Sequence, residues 1–425
     1  MAKKILIVSP RFVPVESPEQ QRARTLLPHL RENGWEGAVL TVDDPSEQRG
    51  RDERLLATVP AGLEIVRVRC PRAWPGFGSL GLRSYRALKK AGQDWISRNK
   101  PDAVYLTTTE FDLFRLGPAW RKNLGVPYIL DYQDPWVTDY YGRAGAPPPP
   151  GGKWKYAFSQ WRARRAEPGC VKRAAGITSV SRGYVDDLKS RYPGCKGVPM
   201  ETIPFGVSES DWELASRIGK VPWEKKFQDE EVWLNLGRLA PSMRKALEAF
   251  FYSLSRKPPP VGTVILFIGT SYQSGQVSEL DPVALAARIC PSVRVEAWPG
   301  RLPMLDALRC LQRAGRLVFL GSDEAAYTPS RLFPYLMAKK PLLAVLHSQS
   351  PAFQRMSALS TPGLMGFTAG ENPKGVGEKI AGLAWERGVN LDGDLYTAKM
   401  MSRDLCKLFD RVADTEGVSS KIKRG

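Results

Sequence analysis

Residues 329–341 read Pro-Ser-Arg-Leu-Phe-Pro-Tyr-Leu-Met-Ala-Lys-Lys-Pro, and the apolar run Leu342–Leu346 follows at once. The segment Ser330–Ala338 predicts a helix, and the short apolar run predicts a buried strand. A helix that leads directly into a buried strand is the repeating unit of an α/β fold with a parallel sheet. If the fold is of this class, the same alternation must continue on both sides of the segment.

The alternation continues along the whole chain. In the second half, strands are predicted over Val232–Gly237, Thr263–Gly269, Val293–Ala297, Leu317–Leu320 and Leu342–Leu346, with helices near Lys245–Ser255, Leu302–Ala314 and Lys374–Gly388. In the first half, strands are predicted over Lys4–Ser9, Gly37–Val42, Leu63–Val68, Ala103–Thr107, Pro127–Asp131, Gly176–Val180 and Glu201–Pro204, with helices over Pro18–Asn33, about Leu82–Arg98 and from Tyr184. The pattern predicts two Rossmann-like α/β domains, each with a doubly wound parallel sheet.

We expect domains over residues 1–207 and 208–394, with the hinge within about 208–226. The remaining segment, 395–425, should provide a helix, Leu395–Val412, that packs back on the first domain, and a frayed basic tail from Glu416. The Gly- and Pro-rich run within Tyr140–Gly152 cannot be a helix or a central strand, so we expect a mobile loop there.

The composition fits a soluble protein of this size, with 425 residues, 43% hydrophobic and 25% charged. No apolar run approaches the roughly 20 residues of a membrane span, and the start lacks the long apolar region of a signal peptide, so we expect a cytoplasmic protein. The six scattered cysteines should be reduced thiols. The chain has only two histidines, so a His-rich metal site is nearly excluded. His29 should pack beside the core. His347, at a strand end, is less easily dismissed as a functional residue.

Segment 329–341 resembles the part of GT-B glycosyltransferases in which a Ser-Lys/Arg-Leu-Phe-x-Tyr-Leu helix starts beneath the donor diphosphate and a Lys-Pro-Leu-Leu-Ala strand follows. Three more segments resemble parts of this family, in the same order along the chain. Residues 174–181 resemble the last strand of its first domain, and residues 203–207 resemble the Ile-Pro-x-Gly-Val segment that enters its hinge. Residues 236–245 resemble its Gly-Arg…Lys loop. The chain is similar to bacterial group 1, family 4-like sugar transferases of surface polysaccharide synthesis. The resemblance implies two domains facing across a cleft, with the acceptor held by the first and a nucleotide-sugar donor by the second.

The resemblance also implies a diphosphate site without a metal, and no cofactor besides the nucleotide-sugar substrate. Arg238 and Lys245 would clamp the diphosphate, while Ser330 adds a hydroxyl and Arg331 a fixed charge at a helix start. The implied donor-binding residues are Gly237, Arg238, Arg244, Lys245, Gly269, Thr270, Asp323, Glu324, Thr328, Ser330, Arg331 and Leu332. The alternative is that Arg238 and Lys245 are solvated surface charges.

The chain departs from the family in two places. Retaining members usually carry two glutamates eight positions apart, and here these positions hold Ala326 and Pro334. Asp323 and Glu324 lie a few residues earlier and could partly substitute for them. The first loop, Pro10–Gln20, lacks the usual paired glycines, so its backbone cannot approach a phosphate as closely. Donor identity and stereochemistry are therefore open.

Segment 131–136, Asp-Tyr-Gln-Asp-Pro-Trp, resembles the Asp-x-x-Asp-Pro-Trp loop of many bacterial surface-polysaccharide transferases. It follows a predicted strand, at the sheet edge where α/β folds bind ligands, and a carboxylate there could accept a proton from the acceptor hydroxyl. We therefore name Asp134, and next Asp131, as catalytic candidates, with Arg11 and Trp136 as acceptor-binding candidates. The alternatives are an aspartate that caps the turn before the proline and a structural salt bridge of Arg11.

Two basic stretches contain large apolar residues. Lys153–Arg165 places Trp154, Phe158 and Trp161 on one helical face, and Arg72–Arg86 holds Trp74, Phe77, Leu80 and Leu82. Such patterns are typical of helices at an anionic membrane interface, which a lipid-linked acceptor would explain, although core packing is the commoner origin.

Four functions are compatible with the sequence. The first is transfer of a sugar to a glycan or lipid-linked acceptor. A nucleotide-sugar epimerase is the second, although that family is richer in catalytic carboxylates and histidines. A catalytically silent binding protein is the third, because Ala326 and Pro334 replace the glutamates. Nucleic-acid binding is the weakest, since the net charge of +18 is scattered and no recognised nucleic-acid module is present.

Overall fold

The computed structural model describes residues 2–47, 49–73, 78–142, 149, 151–271, 280–325, 331–385 and 395–422. The chain forms two compact units. One comprises Met1–Ser208 together with Tyr396–Gly425, and the other comprises Glu209–Leu395. In the described part of the chain, no helix is both long and apolar enough to cross a membrane.

The first unit is built on one seven-stranded sheet. Its strands are β1 (Lys3–Val8), β2 (Trp35–Asp43), β3 (Glu64–Arg69), β4 (Ala103–Thr107), β5 (Tyr128–Tyr132), β6 (Gly176–Ser179) and β7 (Met200–Thr202). Its helices are α1 (Gln21–Leu26), α2 (Leu80–Asn99), α3 (Leu116–Leu124), α4 (Lys153–Val171) and α5 (Arg182–Arg191). The strands lie in the order β3-β2-β1-β4-β5-β6-β7, and every neighbouring pair is parallel.

The second unit is built on a six-stranded sheet. Its strands are β8 (Glu231–Leu236), β9 (Thr263–Ile268), β10 (Val295–Trp298), β11 (Arg316–Leu320), β12 (Leu342–His347) and β13 (Leu364–Phe367). Its helices are α6 (Glu209–Ile218), α7 (Arg244–Arg256), α8 (Pro282–Ile289), α9 (Met304–Arg313), α10 (Leu332–Met337), α11 (Pro351–Ala358) and α12 (Pro373–Ala381). The order is β10-β9-β8-β11-β12-β13, again with parallel neighbours. The prediction of two parallel-sheet α/β domains is confirmed, whereas the cleft between them stays a prediction.

The last helix, α13 (Ala398–Ile422), packs on the first sheet. The ring of Phe409 meets that of Trp35 edge-on at 5.6 Å and that of Tyr105 at 5.1 Å. A Cβ atom on Gly176 of β6 would come within 3.2 Å of the Val412 side chain, so the helix and the strand approach closely. The predicted return of the C-terminal helix to the first domain is confirmed, although the helix continues to Ile422 where we expected a frayed tail.

The remaining differences from the predicted elements have local causes. The helix predicted over Pro18–Asn33 is regular only in α1, because Pro28 cannot donate a backbone hydrogen bond and the chain continues as short 3₁₀ turns to Gly34. The short strand β13 and the helices α6, α8 and α11 were not predicted, and α6 occupies part of the segment in which we expected the hinge. The predicted mobile loop lies largely outside the described residues.

All six cysteines are buried and unbridged, as expected for reduced thiols. His29 is half-buried and pairs with Glu32 at 2.9 Å, in agreement with its predicted place beside the core. In the stretch Arg72–Arg86, Leu80 is buried in the core and Arg83 forms an internal ion pair with Asp44 at 2.5 Å, whereas Leu82 is 37% exposed. Membrane contact of this stretch stays a prediction. Trp74 and Phe77 of that stretch lie outside the described residues.

Candidate functional site

Two glycine turns lie side by side at the carboxyl edge of the second sheet. Gly237 follows β8 with φ +118°, and Gly269 follows β9 with φ +73°. The Gly237 amide donates to the Ile268 carbonyl at 2.8 Å, and a Cβ atom on Gly269 would lie 3.8 Å from the Gly237 Cα. Both turns use the left-handed conformation that glycine adopts without steric cost. The edge therefore presents two tight turns with no side chain between them.

We expect Gly237→Ala to destabilise the second unit by roughly 1 to 3 kcal/mol, the cost of a strained backbone residue, and more if the neighbours cannot move. The new Cβ would lie 2.5 Å from Nη1 of Arg331. Gly262→Ala is the matched control, because Gly262 has φ +84° and open space around its Cβ position. Urea denaturation of both variants measures the difference, and equal losses of stability would show that the contact with Arg331 contributes nothing.

The side chain of Arg331 supports this edge, and its predicted role as a diphosphate ligand stays a prediction. Its guanidinium donates to the carbonyls of Leu236 at 3.1 Å and Leu320 at 3.0 Å, and lies 5.0 Å above the Phe319 ring. These carbonyls end β8 and β11, so one cation joins two strand ends. Because its Nη atoms already donate to the backbone, Arg331 is a positioning residue for the Gly237 turn.

The basic residues after β8 differ in their surroundings. Arg238 is exposed at the same sheet edge. The Lys245 ammonium donates to the backbone carbonyls of Ala369 and, at 3.4 Å, of Thr368. Arg244 lies on the outer face of α7, where it pairs with Glu248 at 3.7 Å. Neutral carbonyls hold Lys245 only weakly, so it remains able to turn towards an anion.

The structure brings other predicted donor residues to this edge. The Asp323 amide donates to the Ser242 carbonyl at 2.9 Å, which joins the loop after β11 to the turn before α7, and the side chains of Asp323 and Glu324 are exposed. Thr270 is buried, and its hydroxyl has no partner among the described residues. The side chain of Leu332 packs in the core and cannot meet a ligand. Thr328, Ser330 and Ala326 lie outside the described residues.

His347 ends β12 but is buried there. Its ring meets the Phe367 ring edge-on at 5.9 Å, and its Nδ1 accepts a hydrogen bond from the Gln349 amide at 3.2 Å. These contacts make it a packing residue of the strand end.

Asp134 lies exposed in the loop after β5, at the carboxyl edge of the first sheet. The protein around its carboxyl displaces bulk water, and this desolvation, with the nearby charge of Glu19, raises the pKa of Asp134 to about 6. Within the described residues, no hydrogen bond or ion pair to this carboxylate is present. A carboxylate with a raised pKa and an accessible position has the properties of a general base.

Asp131, three residues earlier, is wrong as a catalytic candidate. It is fully buried and pairs with the fully buried Arg22 at 3.4 Å. The hydroxyls of Thr107 and Thr178 each donate to its carboxylate at 2.8 Å. Because its oxygens are occupied and out of reach of solvent, Asp131 stabilises the sheet instead of meeting a substrate.

Arg11 is likewise structural, which corrects its predicted contact with the acceptor. Its guanidinium forms ion pairs of 2.8 Å with Glu19, Glu47 and Glu110, and little of the side chain is exposed. Three carboxylates around one cation make Arg11 part of an internal charge cluster.

Trp136 was also predicted to bind the acceptor, but its ring is buried. It stacks on Phe111 at 6.1 Å and meets Phe114 edge-on at 5.9 Å within the core of the first unit. It therefore anchors the Asp134 loop without touching a ligand.

Known structures share this architecture over nearly the whole chain. The chain is similar to a putative UDP-N-acetylglucosamine 2-epimerase from Listeria monocytogenes, with 11% identity over 95% of both chains and a TM-score of 0.54. It is also similar to the α,α-trehalose 6-phosphate synthase from Burkholderia multivorans, with 13% identity over 100% of both chains and a TM-score of 0.53. Anabaena HepE in complex with UDP and glucose has 15% identity over 100% of both chains and a TM-score of 0.51. No curated protein matches the chain.

The family assignment comes from the first unit. Residues 20–206 match the model of the glycosyl transferase 4-like domain. This segment belongs to the glycosyl transferase 4-like family, and the chain as a whole has the GT-B fold of its structural neighbours. The match spans most of the first unit, including the Asp134 loop, Asp131 and Trp136.

Two residues near Asp134 were not predicted from the sequence. Glu19 is buried and accepts hydrogen bonds from the Thr109 amide at 2.9 Å and the Thr108 hydroxyl at 3.2 Å. Tyr184 lies close enough that the Asp134 charge, after burial, raises the pKa of its hydroxyl. A glutamate after a proline predicts only the first turn of a helix, so nothing in the local pattern indicated these neighbours.

In the described part of the chain, no three His, Cys, Asp or Glu side chains are grouped so that they could hold a metal ion. Independence from metals stays a prediction.

Proposed function

We propose that the transferase moves a sugar from a nucleoside-diphosphate sugar to a glycan or lipid-linked acceptor in surface polysaccharide synthesis, without a metal ion. The observation that carries the proposal is the pair of glycine turns, Gly237 and Gly269, with Arg238 and Lys245 at the same sheet edge. Glycine turns let a phosphate approach the backbone closely, and fixed cations stabilise the charge of a departing diphosphate. The UDP and glucose bound to HepE, a protein of the same fold, support this donor class.

The first unit would supply the acceptor site and the base. Asp134 is accessible, and its pKa of about 6 leaves it ionised at neutral pH yet basic enough to take a proton. As the acceptor oxygen attacks the sugar carbon, its proton passes to Asp134 and the nucleoside diphosphate leaves. The buried contacts of Asp131 and Trp136 hold the loop that presents this carboxylate.

Arg238→Ala and Lys245→Ala are each expected to weaken nucleoside-diphosphate binding by roughly 1.5 to 3 kcal/mol, the usual range for a hydrogen bond to a charged group. Calorimetry and thermal shift with UDP and the other nucleoside diphosphates measure the loss, because a ligand of the folded state raises its stability. Arg256→Ala is the matched control, since Arg256 ends the same helix in an exposed pair with Glu378. Unchanged affinity in both site variants would place the donor elsewhere.

The experiment that tests the function is a transfer assay with candidate nucleotide sugars, glycan and lipid-linked acceptors, and EDTA. Release of nucleoside diphosphate together with a labelled acceptor would support the proposal. Isomerisation of the donor without an acceptor would instead establish an epimerase. Binding of the donor without turnover on any acceptor would establish a silent binding protein. A lipid-linked acceptor would place the transferase at the inner face of the cell membrane, as a peripheral protein.

A further inference from the structure

Helix α4 carries apolar residues on two opposite faces. One face, with Ala163, Cys170 and Val171, is buried against the core of the first unit. The other face carries Trp154, Phe158 and Trp161, whose exposed fractions are 92%, 61% and 52%. Positions four and three residues apart lie on one side of a helix, so the three rings form a single stripe. We call this stripe the aromatic face of α4.

The aromatic face is unusual for this chain. No other Trp or Phe in the described part of the chain is exposed. The rings of Phe158 and Trp161 stack on each other at 5.8 Å, and the Arg165 guanidinium lies 4.7 Å from the Trp161 ring. These contacts are made within the face itself and remove little of it from water. An exposed cluster of large aromatic rings marks an interaction surface.

The charges around the aromatic face have one sign. Lys153, Lys155, Arg164 and Arg165 are all exposed, and at 100° per residue they lie along both sides of the stripe and at its end. No acidic residue occurs from Lys153 to Ala166, and Glu167 belongs to the buried face. Aromatic rings flanked by cations complement a surface that is apolar inside and anionic outside, which describes the interface of an anionic bilayer.

We propose that the transferase docks on anionic lipid bilayers through the aromatic face of α4. The helix lies in the plane of the interface, with the rings of Trp154, Phe158 and Trp161 among the acyl-chain ends and the flanking cations against the lipid phosphates. Its opposite face stays packed on the first sheet, so docking requires no unfolding. Vesicle binding needs neither donor nor acceptor, so its test is independent of the transfer assay.

The first test replaces Trp154, Phe158 and Trp161 together with Ser. The variant is expected to bind vesicles of phosphatidylcholine and phosphatidylserine at least about tenfold more weakly than the parent, because ring burial supplies the apolar part of binding. Its thermal stability should match the parent's, since the rings are exposed. The matched control replaces three exposed apolar residues elsewhere, Ile218, Val261 and Val283, with Ser and should bind like the parent. If the ring variant floats with vesicles as well as the parent, the proposal is overturned.

The second test reverses charge with Lys155→Glu, Arg164→Glu and Arg165→Glu in one variant. Binding to the same vesicles should fall about tenfold or more, and parent binding should weaken with added salt or with phosphatidylcholine alone. Lys189→Glu, Lys225→Glu and Lys257→Glu change the net charge equally at other exposed sites and should bind like the parent. An equal loss in both variants would attribute binding to net charge alone and contradict docking through α4.

A third measurement locates the rings. Lipids brominated along the acyl chain should quench the parent's tryptophan fluorescence, and a variant with Trp154→Phe and Trp161→Phe should bind equally but lose most of the quenching. Quenching that persists unchanged would contradict the proposed orientation. If the parent does not bind vesicles but self-associates, and the Ser variant does not, the aromatic face joins two copies of the chain and the bilayer proposal is wrong.

Discussion

Replacing Asp134 with Asn is expected to lower the rate of sugar transfer by about 10² to 10⁴, the usual contribution of a general base. The amide keeps the shape of the carboxyl group but cannot accept the proton. Nucleoside-diphosphate binding should be unchanged, because the proposed donor residues belong to the second unit. Measuring transfer and binding on the same preparation separates loss of chemistry from loss of folding.

The pH profile provides an independent check on the same residue. A base works only when deprotonated, and the pKa of Asp134 is about 6. The parent's transfer rate should therefore fall as the pH drops below about 6, while the residual rate of Asp134→Asn should lack this limb. If Asp134→Asn transfers at the parent's rate, Asp134 has no part in the mechanism, and Asp323 and Glu324 become the acidic candidates.

The stability of the folded protein should depend on pH in the direction opposite to the transfer rate. The folded state raises the pKa of Asp134 from 3.8, so it prefers the protonated group. This group's contribution to stability is therefore best below about pH 4 and falls as the pH rises through about 6, above which the group is deprotonated in both states. Asn resembles the protonated form, so the variant should be no less stable than the parent at neutral pH.

Asp131→Ala should behave quite differently from Asp134→Asn. It leaves Arg22 charged, fully buried and without its carboxylate, and breaking such a pair typically costs roughly 3 to 5 kcal/mol. The midpoint of urea denaturation should fall sharply, and activity and donor binding should be lost together wherever the variant unfolds.

The double variant Arg22→Met with Asp131→Leu is the control for this prediction. Replacing both charges with apolar side chains removes the unpaired charge, so much of the lost stability should return. The return should be incomplete, because Arg22 also donates to the carbonyls of Ile203 at 2.6 Å and Pro204 at 2.9 Å. A stable Asp131→Ala protein would contradict this prediction. It would show that the Arg22 side chain, which is fully buried in the parent, can reach water when its partner is removed.

The sequence predicted both sheets because parallel strands that are buried on both faces appear as continuous apolar runs. The strand β13 was missed because it is only four residues long, contains Gly366 and is half-buried, so it lacks that signal. The proposed donor site could be named from the sequence because Gly237 and Arg238 follow β8 directly and Gly269 follows β9 directly, each in a short segment.

Roles that depend on distant partners could not be predicted. Asp131 and Asp134 follow the same strand, and the local pattern favours neither. Asp131 is structural because Arg22, Thr107 and Thr178 surround it from other parts of the chain. Arg331 matches a phosphate ligand in the motif, but its contacts with the ends of β8 and β11 depend on the register of the sheet. The roles of Asp131 and Arg331 depend on how deeply each side chain is buried and on its contacts with distant residues. Neither can be read from a short segment of sequence.

The packing of α13 on the first sheet affects how the nascent protein folds. A ribosome makes the other strands and helices of the first unit first, then the whole of Glu209–Leu395, and only afterwards the helix that covers Trp35 and Tyr105. Domains usually fold in the order of their synthesis. Here the second unit can complete its fold during translation while the earlier one waits with an apolar surface uncovered, so the first unit is the part most in need of a chaperone.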